Sequence, residues 1–299
     1  MNRVVITGGT GLIGSHLSTL LAGEGWHVVH LTRGGTKRKK YESFHWDPDS
    51  GYCDSDAFME GDAIVHLAAS NIGRGRWTKA RKREIIRSRT VTGELLFNKT
   101  IGAGITPTVF ITASGVNYYG SEISERIFTE SDPPSEDFLG ETCRRWEAAA
   151  DPFREAGVRV VRLRTAVVLA RSGSALNRIT APARAGLVVK IAPGNQYFPW
   201  IHIDDLSSIY HKALTDNAMS GPYNAVAPHQ VTHDMLMGEV ARQKRLPNFL
   251  PHVPVWFLRA VLGEMSVILT TGSRISSDRL SATGYRFRYP DISSALRAC

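Results

Sequence analysis

Two features of the sequence predict an α/β fold with a doubly wound parallel sheet and a smaller C-terminal lobe. Short β-branched runs alternate with segments of helical periodicity over residues 1–170, as in strands joined by crossover helices. The glycine-rich stretch TGGTGLIG, residues 7–14, lies between the first predicted strand and the first predicted helix. Beyond residue 170 the alternation is looser, so we expect that part to form mainly the smaller lobe.

The strands are predicted from short apolar runs. The first contains Val4, Val5 and Ile6, a run typical of a strand buried on both faces. Similar runs predict strands at residues 27–32, 42–46, 62–67, 108–112 and 158–169. Residues 201–205 predict a further strand that leads into a helix capped by an aspartate. Because helices alternate with these strands, we expect a parallel sheet with helices on both faces.

The helices are predicted from apolar residues at helical spacing. The first helix begins near Leu12 and is expected to end at Gly23 and Gly25. Further helices are predicted at residues 78–101, 136–155, 174–187 and 232–245. The apolar stripe of the first of these includes Ile85 and Leu96. Proline residues 247, 251 and 254 then mark a connecting segment.

Composition limits the class of protein. With 299 residues, 42% of them hydrophobic, the chain can bury a large core. No run of eighteen apolar residues is present, so no membrane span is expected. The first strand begins at the N-terminus, which leaves no room for a secretory signal and favours a cytoplasmic protein. The three cysteines have no metal-binding spacing and favour a reducing compartment, and no metal is expected.

The formal net charge of +8 is concentrated in residues 37–40 and 74–89. Nucleic-acid binding is one interpretation, and a solvated surface that attracts a phosphate-rich cofactor is the other. The second is favoured, because Trp77 is the only aromatic residue in the basic stretch 74–89 and no nucleic-acid-binding motif is present. We therefore expect a small-molecule substrate, no nucleic-acid or membrane partner, and a monomer or homodimer.

The glycine-rich turn predicts a dinucleotide site of the Rossmann type. Gly8, Gly11 and Gly14 would allow a tight turn, close approach of a pyrophosphate, and close packing of the helix on the strand. The pyrophosphate would then lie on free N–H groups at the helix N-terminus. The residues predicted to bind the cofactor here are Gly8, Thr10, Gly11, Leu12, Ile13 and Gly14. We assign residues 1–170 to this nucleotide-binding domain, to which segments near 195–230 return, and residues 171–299 mainly to the C-terminal lobe.

The residues after the second strand favour NADP over NAD. An acidic residue there would bind the ribose 2′-hydroxyl, but the chain has Arg33, whose planar guanidinium suits a 2′-phosphate. Lys37 or Arg38 would assist, and the alternative is that Arg33 is an ordinary surface residue at a strand end. Four more residues are predicted to contact the cofactor: Asp47, Leu67, Ala68 and Ala69. Asp47 is equally well explained as a turn residue beside Pro48.

Several segments resemble the extended short-chain dehydrogenase/reductases. They are residues 7–14, 66–69, 112–114 with 118–120 close behind, and 200–206. Other segments resemble a subgroup described as epimerase family proteins or putative nucleoside-diphosphate-sugar epimerases, which has a characteristic C-terminal segment. They are residues 76–78, 88–89, 138–141, 146–147, 198–200 and 223–228. In this chain the C-terminal segment would be residues 247–299, including 284–287.

The resemblance implies a catalytic tyrosine that is made acidic by a lysine four residues later. None of the nine tyrosines has such a lysine, and by order along the chain the expected pair falls near Phe138 and Thr142. Ser114 matches the serine or threonine that holds the substrate oxygen, although a register change of one residue would put Gly115 there. The alternative is that Ser114 caps the turn after the fifth strand.

Other residues remain as candidates for the chemistry. Tyr118 would supply a phenol from the same loop, or its ring would pack against the nicotinamide. Arg164 is predicted to contact the cofactor, and together with Gln196 and Trp200 it would line the substrate site, with ordinary packing as the alternative. Glu141, Cys143 and the pair His202 and Asp204 are weaker candidates, since each is more often structural.

Two functions are consistent with the sequence. The first is an NADP(H)-dependent oxidoreductase, or an epimerase-like enzyme, with a non-standard site in which Ser114 and Tyr118 are the catalytic residues. The second is a non-catalytic sensor that binds NADPH, because the glycine-rich turn is intact and the tyrosine and lysine pair is absent.

Overall fold

The computed structural model describes residues 2–34 and 40–299, and its main sheet has eight strands. The strands are β1 (Arg3–Thr7), β2 (His27–Thr32), β3 (Glu42–Asp47), β4 (Tyr52–Cys53), β5 (Ala63–His66), β6 (Val109–Gly115), β7 (Ile123–Phe128), β8 (Arg159–Thr165), β9 (Val167–Leu169), β10 (Trp200–His202), β11 (Gly221–Ala225) and β12 (Gly272–Ile275). The main sheet has the order β11-β8-β6-β5-β1-β2-β3-β4. Its pairs are parallel except for the antiparallel pair of β3 and β4.

Helices cover both faces of this sheet. They are α1 (Leu12–Gly23), α2 (Lys79–Lys99), α3 (Phe138–Ala148), α4 (Asp151–Glu155), α5 (Ala175–Ile179), α6 (Ile203–Thr215), α7 (His233–Lys244), α8 (Val255–Leu262), α9 (Val267–Thr270), α10 (Asp278–Ala282) and α11 (Ile292–Ala298). Successive side chains of β1 point to opposite faces, so Val4 packs in the cluster with α1 and α6. Val5 packs in the cluster with α2 and α4. The predicted doubly wound α/β fold is confirmed.

Two predicted elements are divided in the structure. The strand predicted at 158–169 is two strands, because β8 pairs with β6 and β11 whereas β9 leaves the main sheet and pairs with β10. The helix predicted at 136–155 is interrupted at Ala149 and Ala150. Pro152, in the first turn of α4, has no N–H to continue the α3 ladder, which explains the interruption.

The other corrections concern short or weakly patterned segments. The helix predicted at 174–187 consists of α5 followed by a 3-10 turn, Ala181–Ala185. Four strands were not predicted, namely β4, β7, β11 and β12; β4 has two residues and most of β7 is exposed, so neither shows a clear alternation. The helix α6 is capped by His202, whose Nδ1 accepts the N–H of Asp204 at 3.2 Å, and not by an aspartate as predicted.

The C-terminal residues pack closely against the nucleotide-binding half. Strand β12 lies parallel to β7 in a two-stranded sheet. Asp205, which is 1% exposed, accepts hydrogen bonds from the Tyr285 hydroxyl at 2.9 Å and from the N–H groups of Arg288 at 2.7 Å and Tyr289 at 3.0 Å. One buried carboxylate therefore fixes the segment 285–289 against α6.

The division into domains at residue 170 remains a prediction.

A third hydrophobic cluster lies around α7 and α11. It includes Leu169, Trp200, Leu236 and Ile292. Within residues 2–34 and 40–299, no helix is both long and apolar enough to cross a bilayer.

Replacing Asp205 with alanine should lower the free energy of unfolding by about 3 kcal/mol, because two backbone N–H groups and a partly buried hydroxyl lose their buried acceptor. Urea denaturation would measure the change, and limited proteolysis would show earlier cleavage within 285–299. Asp216→Ala is the control, since that carboxylate pairs with Lys212 near the surface. Equal losses in the two variants would contradict the role given to Asp205.

Candidate functional site

The candidate site lies at the carboxyl ends of β1 and β5. These strands are neighbours in the sheet, and the chain runs from β1 through α1 to β2 on the other side. The strand order therefore reverses between β1 and β5, which is where open α/β sheets bind ligands. Gly8 has φ +71°, and a Cβ there would lie 3.0 Å from the Ala68 nitrogen. Only glycine allows the turn after β1 to approach the end of β5 this closely.

The start of α1 packs as closely on the same turn. A Cβ at Gly14 would lie 2.3 Å from the Gly8 carbonyl oxygen, so the first turn of the helix rests on the glycine-rich turn. Gly9 contributes a contact that the sequence analysis did not identify, because a Cβ there would lie 2.5 Å from the His30 ring. Ser18 Oγ, 2.7 Å from His30 Nε2, also donates to the Gly14 carbonyl at 2.7 Å.

At Gly11 the rest of the protein leaves more space for a side chain than at Gly8, Gly9 or Gly14. A Cβ at this position would have one close contact among the described residues, 3.2 Å from the Gly8 oxygen. Gly11 is the N-cap of α1, and no side chain caps this helix. The first N–H groups of α1, including those of Leu12 and Ile13, have no acceptor within the helix. Thr10 and Gly11 are exposed, so this N-terminus is open and fits the pyrophosphate of a dinucleotide.

A buried chain of hydrogen bonds fixes the end of β1 to β5 and α2. Thr7 Oγ1 accepts the N–H groups of Leu67 and Ala68, each at 3.1 Å, and lies 2.7 Å from His66 Nδ1. Thr92 Oγ1 lies 3.0 Å from His66 Nε2 and donates to the Ser88 carbonyl at 2.9 Å. Since the Thr92 hydrogen is used, Nε2 carries the histidine proton and Thr7 donates to Nδ1. Burial lowers the pKa of His66 to about 3, so the ring is neutral.

The residues predicted to contact the adenosine end lie around this opening. Leu67 and Ala68 are half-buried and Ala69 is exposed, directly after β5. Arg33 is exposed after β2. It lies near α2, since hydrogen bonds from Arg81 and Ser70 chiefly lower the pKa of Glu84 and Arg33 adds a smaller effect.

Three further residues were predicted to act at the adenosine end, namely Lys37, Arg38 and Asp47. Lys37 and Arg38 lie outside the described residues. Asp47 is the last residue of β3, and its carboxylate accepts the N–H of Asp49, in the turn to β4, at 3.1 Å. Hydrogen bonds from Ser50 and Asp49 lower its pKa. The structure thus gives Asp47 the turn role that the adjacent proline indicates.

Ser114 belongs to a buried network of charged and polar groups. Its hydroxyl donates to Glu147 Oε1 at 2.8 Å. Arg164 binds both oxygens of the same carboxylate, at 2.8 and 3.0 Å, and donates to the Tyr119 hydroxyl at 2.9 Å. Tyr119 in turn donates to Asn224 Oδ1 at 2.7 Å. Arg164 was predicted to contact the cofactor, and that contact stays a prediction; in the structure its fork binds Glu147.

Tyr118 lies beside this network with a partly exposed side chain. The Arg164 guanidinium lies 3.5 Å from the centre of its ring. Burial raises the pKa of Tyr118, and the Arg164 charge only partly opposes this. The phenol is therefore protonated at neutral pH. It carries a proton, and its phenolate form is scarcely populated.

The positions of the missing pair have no acid or base. The Phe138 ring packs edge-on against Trp77, 4.9 Å between centres, and Thr142 Oγ1 donates to the Phe138 carbonyl at 2.6 Å. Hydrogen bonds from Arg144 and Arg145 lower the pKa of Glu141 to about 2. It is therefore a carboxylate engaged at the surface.

The weaker candidates also have structural roles. Burial raises the pKa of Cys143 to about 12, which leaves a neutral thiol. Gln196 binds two backbone groups of its own loop and the Leu269 carbonyl of α9. Trp200 Nε1 donates to the His229 carbonyl at 3.2 Å. His202 caps α6 as described above. No group of three or more possible metal ligands occurs among the residues that the structure describes.

Comparison with known proteins supports the predicted family. Residues 4–226 match the NAD dependent epimerase/dehydratase family, and residues 253–299 match a domain of unknown function (DUF1731). The mouse epimerase family protein SDR39U1 is 33% identical over 99% of this chain and 98% of its own length. YfhF from Bacillus subtilis, also described as an epimerase family protein, is 33% identical over 98% of this chain and 96% of its own.

Solved structures agree with this assignment. Human SDR39U1, crystallised with NADPH, superposes with a TM-score of 0.87 at 32% identity, covering 99% of this chain and 98% of that one. UDP-glucose 4-epimerase from Thermotoga maritima superposes with a TM-score of 0.77 over 99% of this chain and 98% of its own, but at 17% identity it supports the fold alone. The resemblance stated from the sequence, including the C-terminal segment, is confirmed.

The neutral His66 predicts a specific pH dependence. Its folded pKa lies below the unfolded value near 6.5, so its contribution to stability is complete above pH 6.5 and is lost as the pH falls toward 3. Between pH 7.5 and 5, wild type should therefore lose about 2 kcal/mol more than His66→Gln. Urea denaturation at both pH values measures this. The exposed His45→Gln is the control and should behave as wild type; identical pH slopes for His66→Gln and wild type would refute the neutral-ring assignment.

Proposed function

The chain belongs to the NAD dependent epimerase/dehydratase family, and from this premise we propose that it binds NADPH and reduces a carbonyl group of a small molecule. The observation that carries the proposal is the opening between β1, β5 and α1. There the glycine-rich turn approaches Ala68 within contact distance, and the first N–H groups of α1 are free of side-chain caps. The substrate would lie beyond the carboxyl end of β6, near Ser114 and Tyr118.

NADPH rather than NADH is proposed for two reasons. Arg33, and no carboxylate, follows β2 at the point where the ribose would lie. In addition, a similar protein, human SDR39U1, has been crystallised with NADPH. The residues proposed to hold the pyrophosphate are the backbone of Gly11, Leu12 and Ile13. Ala68 and Ala69 would line the nucleotide.

The residues at the end of β6 favour reduction over epimerisation. The cofactor supplies a hydride when it is bound. The protonated Tyr118 phenol would give the proton that the carbonyl oxygen needs, and Ser114 Oγ, whose own hydrogen is used by Glu147, would accept a hydrogen bond from the hydroxyl product. Epimerisation starts by removing a proton, which requires a phenolate, and at neutral pH the Tyr118 phenol is protonated. An NADPH-dependent reductase is therefore the proposed function.

A non-catalytic NADPH sensor is the second candidate. One observation favours it: the positions of the usual pair hold Phe138, packed on Trp77, and Thr142, bonded to its own helix. Such a protein would keep the dinucleotide site and lack turnover.

Turnover distinguishes these two functions. A panel of aldehydes, ketones and sugar nucleotides would be tested with NADPH, following the absorbance of the reduced nicotinamide. Reductase function predicts oxidation of NADPH with some carbonyl compound, and Tyr118→Phe should lower that rate about a hundred-fold with unchanged NADPH affinity. Tyr52→Phe, at an exposed position on β4, is the control. Tight NADPH binding without any turnover would support the sensor, and an unchanged rate in Tyr118→Phe would exclude that phenol as the donor.

The choice of cofactor can be tested at Arg33. Arg33→Ala should weaken NADPH binding about ten-fold or more, because a charge-assisted contact with the 2′-phosphate is lost, and should leave NADH binding unchanged. Calorimetric titration of both cofactors measures this. Arg259→Ala, an exposed arginine on α8, controls for loss of general positive charge. If Arg33→Ala weakens the binding of both cofactors equally, Arg33 does not bind the 2′-phosphate.

A further inference from the structure

Arg89 is a buried arginine on α2 that the proposed mechanism does not use. Its side chain is 6% exposed. Nη1 donates to the Ile85 carbonyl at 2.8 Å and to the Ser70 carbonyl at 3.2 Å. The guanidinium carbon lies 4.6 Å from the centre of the Trp146 ring, on α3. Two backbone oxygens and an indole therefore fix the orientation of the group.

The other edge of this guanidinium has no partner in the described part of the chain. Nε and Nη2 make no hydrogen bond there. Neither nitrogen is completely shielded from solvent, so a ligand can reach both. These two N–H groups form the edge that binds a carboxylate through both oxygens. Three other arginines in this structure use the same two atoms on a glutamate: Arg144 with Glu141, Arg164 with Glu147 and Arg242 with Glu239.

Among residues 2–34 and 40–299, no neighbouring group neutralises the Arg89 charge. Burial lowers its pKa to about 10, which still leaves a cation at neutral pH. The titratable groups that act on it are Cys143 and Arg81, and it acts in turn on His66. The first is a neutral thiol, the second a cation and the third a neutral ring. A buried cation without a counter-ion is costly, and a bound anion would remove that cost.

The position of Arg89 connects it with the candidate site. Ser70, which accepts its hydrogen bond, directly follows the nucleotide-lining residues Ala68 and Ala69. Cys143, its neighbour on α3, has its sulfur 3.6 Å from the place where a Cβ of Gly115 would lie, at the end of β6. The guanidinium thus lies between the carboxyl ends of β5 and β6, beside the proposed nicotinamide end of the cleft.

We propose that the free edge of Arg89 binds an oxyanion through two of its oxygens, either a carboxylate carried by the substrate or a phosphate of the cofactor. This inference rests on the proposed function, since it places the group in the same cleft. If the bound oxyanion is a carboxylate of the substrate, the substrates are restricted to carbonyl compounds that bear an acid group. Arg89 is then a specificity-determining residue, and Trp146 positions it.

The test compares Arg89→Met, which removes the charge, with Arg89→Lys, which keeps the charge and removes the two-point edge. Arg144→Met, an exposed arginine on α3, is the matched control. The first arm titrates NADPH into each protein. The second arm titrates sodium pyruvate and inorganic phosphate by calorimetry, both with the protein saturated with NADP⁺ and without it.

If the oxyanion is a phosphate of the cofactor, Arg89→Met should weaken NADPH binding about ten- to a hundred-fold. Arg89→Lys should lose less affinity, and the control should lose none. If the oxyanion belongs to the substrate, NADPH affinity should be unchanged in Arg89→Met. The affinity for pyruvate or phosphate should then fall by the same factor. Equal affinities of wild type and both Arg89 variants in every titration would overturn the inference. Failure of wild type to bind NADPH would refute the proposed function instead, and the anion titrations without cofactor would then decide the inference separately.

Discussion

The hydrogen-bond chain from Thr7 through His66 to Thr92 is the constraint on which the rest of the site depends. It joins the ends of two neighbouring strands to α2 in the interior, where water cannot compete for the same groups. Because Thr7 also accepts the N–H groups after β5, the loop that begins there is held against the glycine-rich turn. Gly8 completes the arrangement, since any side chain would push that loop away. The opening at the N-terminus of α1 is a consequence of this close approach.

A second buried network determines what chemistry remains possible. Glu147 accepts the hydrogen of Ser114 and two N–H groups of Arg164, so its carboxylate is not free to act as a base. The same guanidinium lies over the Tyr118 ring, which burial keeps protonated. The site therefore combines a glycine-rich turn suited to a dinucleotide with a phenol that is protonated at neutral pH. On this ground we propose a reductase or a sensor rather than an epimerase.

Local sequence patterns predicted the parts of the site that local geometry determines. The strand, glycines and helix of residues 7–14 are contiguous, and the absence of a tyrosine and lysine pair is a property of the sequence itself. The role of Arg164 was not predictable in the same way, because its partners Glu147 and Tyr119 come from other elements. The contact of Gly9 with His30 was missed for the same reason. The division of the predicted strand 158–169 reflects a change of pairing partner, which a continuous β-branched run does not reveal.

The most direct test of this account is a calorimetric titration of NADPH into wild type and Gly11→Val, with Gly23→Ala as the control at a position where a Cβ meets nothing within 4 Å. The account predicts that wild type and Gly23→Ala bind with the same affinity. It predicts that Gly11→Val remains folded and shows no binding, because its side chain occupies the space of the pyrophosphate. Binding of NADPH by folded Gly11→Val with wild-type affinity would contradict the claim that the cofactor rests on the N-terminus of α1.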